Sequence, residues 1–231
     1  MEMVEAIYFS LMRRSADGTS PDTFIMSKGH GCMTQYLALE ELGILPSATL
    51  ERYCKIDGVL GAHPDFGNPG IEASTGSLGH GMAMAVGMAY ADKIRNQDRS
   101  IYVVLSDGEF QEGSTWEALM IAGNLKVPRL VGFLDLNDRQ SFVQTSVANP
   151  NFYPVLEKIQ AFGWQAIEVD GHNSVQILEA VRSHDHKRPL LVVCKTVKGK
   201  GVSFMENVPI WHYRSPDPDE YQRACLELES Q

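Results

Sequence analysis

Four short runs, residues 101–105 (IYVVL), 130–135 (LVGFLD), 165–169 (QAIEV) and 190–194 (LLVVC), are β-rich and apolar at successive positions. A strand that is apolar on both faces belongs in a sheet covered on both sides, the usual setting of parallel strands. Helical stretches separate these runs: roughly 34–42 ended by Gly43, 81–96, 113–125, and 175–184 with Asn173 or Ser174 as N-cap. This alternation predicts an α/β fold, a doubly wound and mainly parallel sheet with helices on both faces. Ligands of such sheets bind beyond the carboxyl ends of the strands. Asp107 and Asn137 each sit just past a strand end, which points to one shared site.

No repeat, low-complexity tract or long linker interrupts the 231 residues, so one domain spanning 1–231 is expected, with 217–231 as a flexible tail. The formal net charge of −9 argues against nucleic acid and against an anionic membrane surface as partners. Cys32, Cys54, Cys194 and Cys225 match neither a metal pattern nor a disulfide framework, so a reducing, cytoplasmic setting is expected. No apolar run approaches the ~20 residues that span a bilayer. The opening MEMVEAIYFSLMRRS carries acids where a signal peptide needs bases. Its Val4, Ile7, Tyr8, Leu11 and Met12 follow the spacing of a packed amphipathic helix instead.

The chemistry-bearing residues fall in loops. Asp107 and Asn137 offer oxygen donors suited to a hard cation such as Mg²⁺, although an Asp-Gly after a strand also serves as a turn or helix cap. In residues 73–89 (ASTGSLGHGMAMAVGMA), glycines 76, 79 and 81 with Ser74, Thr75 and Ser77 open a long helix. Bare backbone N–H groups there would hold an anion, and tight packing explains the same glycines. Gly79, Ala83, Gly87 and Ala91, flanked by Gly81, Ala85 and Ala89, form a small-residue stripe fitting close packing within the chain or a subunit interface. His30, His63, His80 and His212 stand in loop contexts, His172 in a turn before a helix, and His184 and His186 in an expected solvated tail. None has zinc-site spacing.

The segments SKGH (27–30), GAHP (61–64), TGSLGHG (75–81), SDGEFQEGSTWEA (106–118), LDLN (134–137), AFGWQAIEVDGH (161–172), KTVKGKG (195–201) and WH (211–212) occur in the order found in transketolases. From its first residues to about Pro216 the chain resembles the N-terminal, diphosphate-binding half of that thiamine-diphosphate family. The resemblance implies a Mg²⁺ or Ca²⁺ ion held by Asp107, Asn137 and the carbonyl of Arg139, bridging the cofactor diphosphate. It places Lys28, His30, Gly76, Gly108 and Lys198 near the diphosphate or reaction centre. Leu78, within the stretch Gly76, Ser77, Leu78 and Gly79, would approach the aminopyrimidine. His63 and His212 would face substrate, hold hydroxyls and move protons. Glu112 and Glu117 would join a carboxylate network across a subunit interface. Glu109 fits a cofactor-side role or a backbone-ordering one. The implied reaction is two-carbon ketol transfer from a ketose, free or phosphorylated, with the thiazolium as electron sink.

Three departures from the family pattern stand out. Ser106 replaces the usual glycine before the metal Asp, and His80 replaces a common Gln. Relatives also carry about forty residues before the first helix, including a substrate-contacting histidine, whereas Met1 here lies inside that helix with no cap ahead of it. The family's pyrimidine-binding domain, which supplies the activating glutamate, would follow Gln231. The resemblance therefore implies one subunit of a split transketolase, paired with a C-terminal subunit in an α2β2 heterotetramer that includes self-contacts between copies of this chain. Two other readings stand beside it: a related subunit passing the two-carbon unit to a lipoyl or carrier-protein thiol, and a non-catalytic scaffold relative. Retention of Asp107, Asn137, Glu112, His30, His63 and His212 counts against the scaffold.

Overall fold

Five strands pair in parallel in the order β1-β2-β3-β5-β4: β1 (Thr23–Met26), β2 (Ile101–Ser106), β3 (Leu130–Leu136), β4 (Gln165–Asp170) and β5 (Leu190–Lys195). The computed structural model describes residues 1–16 and 18–230. Register runs continuously across the centre, with Ile101 opposite Leu130 and Leu134 opposite Val193. The chain advances one strand at a time to β3, skips to the edge at β4 and returns to insert β5.

Because side chains alternate across a strand, the sheet has two apolar faces. Phe24, Tyr102, Phe133 and Val192 point to one face, packed with α1 (Glu2–Ala6), α2 (Cys32–Glu41) and α8 (Ser174–Arg182). Ile25, Val103, Leu134 and Val193 point to the other, under α4 (Gly81–Ile94), α5 (Gly113–Leu125) and α7 (Val155–Ala161). The doubly wound expectation holds. Trp164 is fully buried on the second face, its Nε1–H donating to the Leu119 carbonyl at 2.8 Å.

Helix ends follow local chemistry. Asn173 caps α8 by accepting the Gln176 N–H at 3.1 Å. Gly43, at φ +68°, follows α2 in the left-handed conformation that costs glycine little. The N-terminal helix buries Val4, Ile7 and Tyr8, passes into a π-helical turn at Ile7–Leu11, and lacks a side-chain cap.

Four expectations need correction. Residues 217–231 were expected to form a flexible tail, yet α9 (Pro218–Glu229) occupies most of them. Its start is a capping box with proline at the first turn: Asp217 accepts the Glu220 N–H at 2.9 Å, and Glu220 accepts the Asp217 N–H at 3.0 Å. Strand β4 is not apolar on both faces, because an edge position leaves Glu168 exposed. His184 is no part of a solvated tail; it is buried, with Nε2 bound to the Arg188 carbonyl at 2.7 Å, while His186 is exposed. His172 does more than order a turn. Its Nε2 accepts the Val197 N–H at 2.8 Å, which leaves Nδ1–H to donate to Glu2 at 2.8 Å.

The small-residue stripe divides. Gly81 is pressed on this chain, since a Cβ there would stand 2.3 Å from the Ser27 hydroxyl, and Ala85 and Ala89 are buried. Ala83 and Gly87 face outward, and a Cβ at Gly87 would meet nothing within 4 Å. Tyr90 and Ile94 of α4 and Met120 and Ile121 of α5 are also exposed. Among the described residues no helix is long and apolar enough to cross a membrane.

Candidate active site

Four neighbouring strands, β1, β2, β3 and β5, each deliver residues from their carboxyl ends to one cleft. Lys28 and His30 follow β1, Gly108 follows β2, Asn137 and Arg139 follow β3, and Lys198 follows β5. Together with Leu78 and His212 they line a cavity of about 430 Å³. Asp107 lies beneath it, fully buried.

The glycine-rich loop is seated by close backbone approach. Gly29 admits no Cβ, which would stand 2.7 Å from the Gly76 nitrogen. Thr75 Oγ1 donates to the Met26 carbonyl at 2.6 Å. Gly76, at φ +150°, lies under the His63 ring, where a Cβ would be 3.0 Å from Cγ. Gly79, at φ +83°, would collide through a Cβ with Ser114 Oγ at 2.4 Å and Glu112 Cβ at 2.7 Å. Only glycine meets both the conformation and the space there.

Glu109 is the knot of this loop. Its Oε1 accepts the Ser27 hydroxyl at 2.5 Å and the Gly79 N–H at 2.9 Å, while Oε2 is buried without a partner. Burial raises its pKa against the pull of those hydrogen bonds. It stands behind the cavity wall and not on the lining, so its place is backbone ordering. The family departure at Ser106 joins this knot, its Oγ accepting the Glu109 N–H at 3.2 Å. The departure at His80 bonds through Nδ1 to the Leu78 carbonyl at 3.0 Å.

The acid floor is asymmetric. Asp107 Oδ1 accepts the Gly108 N–H at 2.9 Å; Oδ2 shares the Arg139 N–H, at 3.2 Å, with Asn137 Oδ1 at 3.0 Å. That shared donor brings the Asp107 and Asn137 oxygens together. Burial, with the nearby Asp135 charge, pushes the Asp107 carboxyl up to about 7. Asp135, also buried, is instead held below the usual range by Lys28 and the Thr196 hydroxyl, which outweigh its burial. Its only signal in the sequence is an Asp inside an otherwise apolar strand, two residues before Asn137, and sequence reasoning misses it.

One buried carboxylate without a cation, one amide oxygen converging on it, and a backbone carbonyl on the same turn suit a hard dication. Among the described residues no group of three or more His, Cys, Asp and Glu could hold a metal, and this donor set has only one such side chain. Lys28 and Lys198 lie beside it on the lining, where a diphosphate would carry the opposite charge. The residues present fit both a divalent ion and a diphosphate.

His30 and His212 are neighbours on the lining, ring centroids 6.0 Å apart and planes tilted by 47°. Enclosure, then the neighbouring Lys28, pulls the His30 pKa down to about 4; enclosure and Lys198 lower that of His212. Both imidazoles are therefore neutral near pH 7. Ser77, Glu112, Glu117 and His63 are exposed and do not line the cavity, though Gly79 brings Glu112 to its flank. Sequence reasoning missed Gly31, Ser106, Asp135, Gln140 and Ser141 on the lining.

Comparison with known proteins agrees with this geometry. The family model "Transketolase, thiamine diphosphate binding domain" matches residues 2–220. The chain is 36% identical over 233 residues to one subunit of an apulose-4-phosphate transketolase from Phocaeicola vulgatus, covering 99% of this chain and 83% of the relative. It is 36% identical over 238 residues to a 6-deoxy-6-sulfo-D-fructose transketolase subunit SqwG of a Clostridium species, covering 100% and 86%. The transketolase structure from Campylobacter jejuni superposes with a TM-score of 0.84 at 24% identity, covering 98% of this chain. The chain spans 37% of that longer protein. With the glycine loop, the acid floor and these matches in agreement, the chain belongs to the transketolase family as its thiamine diphosphate binding domain.

Proposed function

We propose that this chain is the diphosphate-binding subunit of a two-chain transketolase that transfers a two-carbon ketol unit between sugars. The observation that carries the reading is the convergence of Asp107, Asn137, Lys28 and Lys198 at four adjacent strand ends, around a cation-free buried carboxylate. Asp107, Asn137 and the Arg139 carbonyl would hold Mg²⁺ or Ca²⁺, and Lys28 and Lys198 would neutralise the diphosphate. Thiamine diphosphate, when bound, supplies the thiazolium that accepts the electron pair released by carbon–carbon cleavage.

The chain's own groups do the rest. His30 and His212, neutral and neighbouring, accept or donate a hydrogen bond at a substrate hydroxyl and pass a proton as charge develops. His63, seated on Gly76 just outside the lining, would face substrate from the flank. Glu112, beside Gly79, joins a carboxylate chain to a partner protein that carries the pyrimidine-binding domain. The outward Gly87 face of α4 provides self-contact in an α2β2 assembly. The two subunit relatives described above are named for a sugar phosphate and a sulfosugar, which supports an anionic ketose as substrate. Four free cysteines fit a cytoplasmic setting.

The test mixes this chain with a chain carrying the pyrimidine-binding domain, then adds Mg²⁺ and thiamine diphosphate. Cofactor binding by calorimetry and cleavage of a ketose phosphate are expected only in the mixture. A mixture that binds no cofactor overturns the reading.

A further inference from the structure

Two loops meet at the cavity mouth, and neither is a strand or an α-helix. The first, residues 137–144, carries Asn137 and Arg139. It doubles back on itself, with the Gln140 and Val143 N–H groups each donating to the other's carbonyl at 3.0 Å, and with Ser141 at φ +53°. The second, residues 196–217, carries His212 on a single 3₁₀ turn, Pro209–His212. His212 Nδ1 is buried and has no hydrogen-bond partner, so no such bond sets that ring nitrogen.

Ring contacts and anchors set it instead. On one side Trp211 is fastened, its Nε1–H donating to the Phe204 carbonyl at 3.0 Å and the Arg214 guanidinium lying 3.8 Å from its ring centroid. On the other side stands Tyr213. Its ring lies 4.8 Å from that of His212 and 4.3 Å from that of Phe142, tilted 30° to the latter, and its hydroxyl shares a hydrogen bond with Ser141. Phe142 and Tyr213 remain more than half exposed at 56% and 55%, so core burial does not explain the pairing.

We infer that Tyr213 is a positioning residue: through Phe142 and Ser141 it fixes His212 relative to the loop that carries Asn137 and Arg139. The inference rests on the reading of that loop as the cation-binding turn. It has a consequence neither loop has alone. A cation and diphosphate that steady residues 137–144 would then also steady His212 through the Phe142 and Ser141 contacts of Tyr213. Tyr213 touches no reacting atom; it acts through its neighbour.

The test uses the assembled two-chain protein with Mg²⁺ and thiamine diphosphate, and follows amide hydrogen exchange with and without them. In the unaltered protein both 137–144 and 209–214 are expected to slow on loading. In Tyr213→Ala and Phe142→Ala, 137–144 still slows, while the slowing at 209–214 is lost. Cofactor affinity stays within about twofold, and kcat/KM for the ketose falls about tenfold through misplacement of one ring. Tyr213→Phe keeps the stacked ring and recovers most of both losses.

Three results overturn the inference: protection at 209–214 that survives Tyr213→Ala, no change there on loading the unaltered protein, or a parallel fall of affinity and melting temperature that marks a merely structural contact. Failure of the unaltered pair to bind thiamine diphosphate at all instead sinks the functional reading, and this inference with it.

Discussion

The floor of the cleft and its rim are built in opposite ways. Asp107, Glu109 and Asp135 on the floor sit on or just past strand ends, buried, each holding two or more hydrogen bonds. His30, His63 and His212 on the rim sit on loops and 3₁₀ turns, and His63 is exposed. The floor stores charge in a low-dielectric setting where every partner matters. The rim offers rings whose removal leaves little behind. Substitution should therefore separate stability and binding from turnover along this boundary.

The largest expected effect is on the floor. Asp107→Ala should lower metal-dependent cofactor affinity by about 100-fold or more, with an unchanged circular dichroism spectrum. Retained tight binding in a calorimeter would remove Asp107 from the ligand set. Next comes Lys28→Met, which leaves Asp135 as an unpaired buried carboxylate and should cost about 3–5 kcal/mol in denaturant unfolding. Adding Asp135→Asn should recover much of that loss, and no recovery would mean the pair is not coupled.

Glu109→Ala leaves the Ser27 hydroxyl and the Gly79 N–H without an acceptor, a cost of about 2–4 kcal/mol. Glu109→Gln, which retains an acceptor oxygen, should cost about 1 kcal/mol or less. Equal losses in the two variants would show that the knot does not work through that oxygen. On the rim, His63→Asn and His212→Asn should shift stability by no more than about 0.5 kcal/mol. Both should lower kcat/KM of the assembled enzyme about 100-fold. A rim variant that unfolds would break the contrast.

Floor and rim should also differ in slope with pH. The Asp107 pKa is raised in the metal-free fold, from 3.8 to about 7, so its contribution to stability is present below pH 4 and lost as pH rises through 7. His30 is lowered from 6.5 to about 4, so its contribution is present above 6.5 and lost as pH falls toward 4. Asp107→Asn should flatten the alkaline loss and His30→Gln the acidic one in melts across that range. Unchanged profiles in both would reject the two assignments.

Legibility in the sequence followed the same boundary. The buried strands and the helices between them announced themselves by apolar runs, and the 113–125 helix begins and ends as expected because Glu112 and Lys126 leave helical geometry. Strand β1 escaped because four residues, Thr23–Met26, are too few to show a period. Asp107 and Asn137 were readable as oxygen donors after strands. Asp135 was not, because its partner Lys28 is 107 residues away in sequence. Glu109 stayed open in the sequence for the same reason, since Ser27 and Gly79 reach it only in the fold. Tyr213 gave no signal at all: its neighbours Ser141 and Phe142 belong to a different loop.

The strand order has one more consequence. Neighbouring strands stand about 4.8 Å apart, a spacing fixed by backbone hydrogen bonds, so four of them in a row span about 14 Å. Lys28, Asp107, Asn137 and Lys198 each mark one graduation on that scale. Loops can lengthen, shorten or change residues without altering the ruler beneath them. A chain of this design can therefore change which sugar it admits while the gauge that measures its cofactor stays the same.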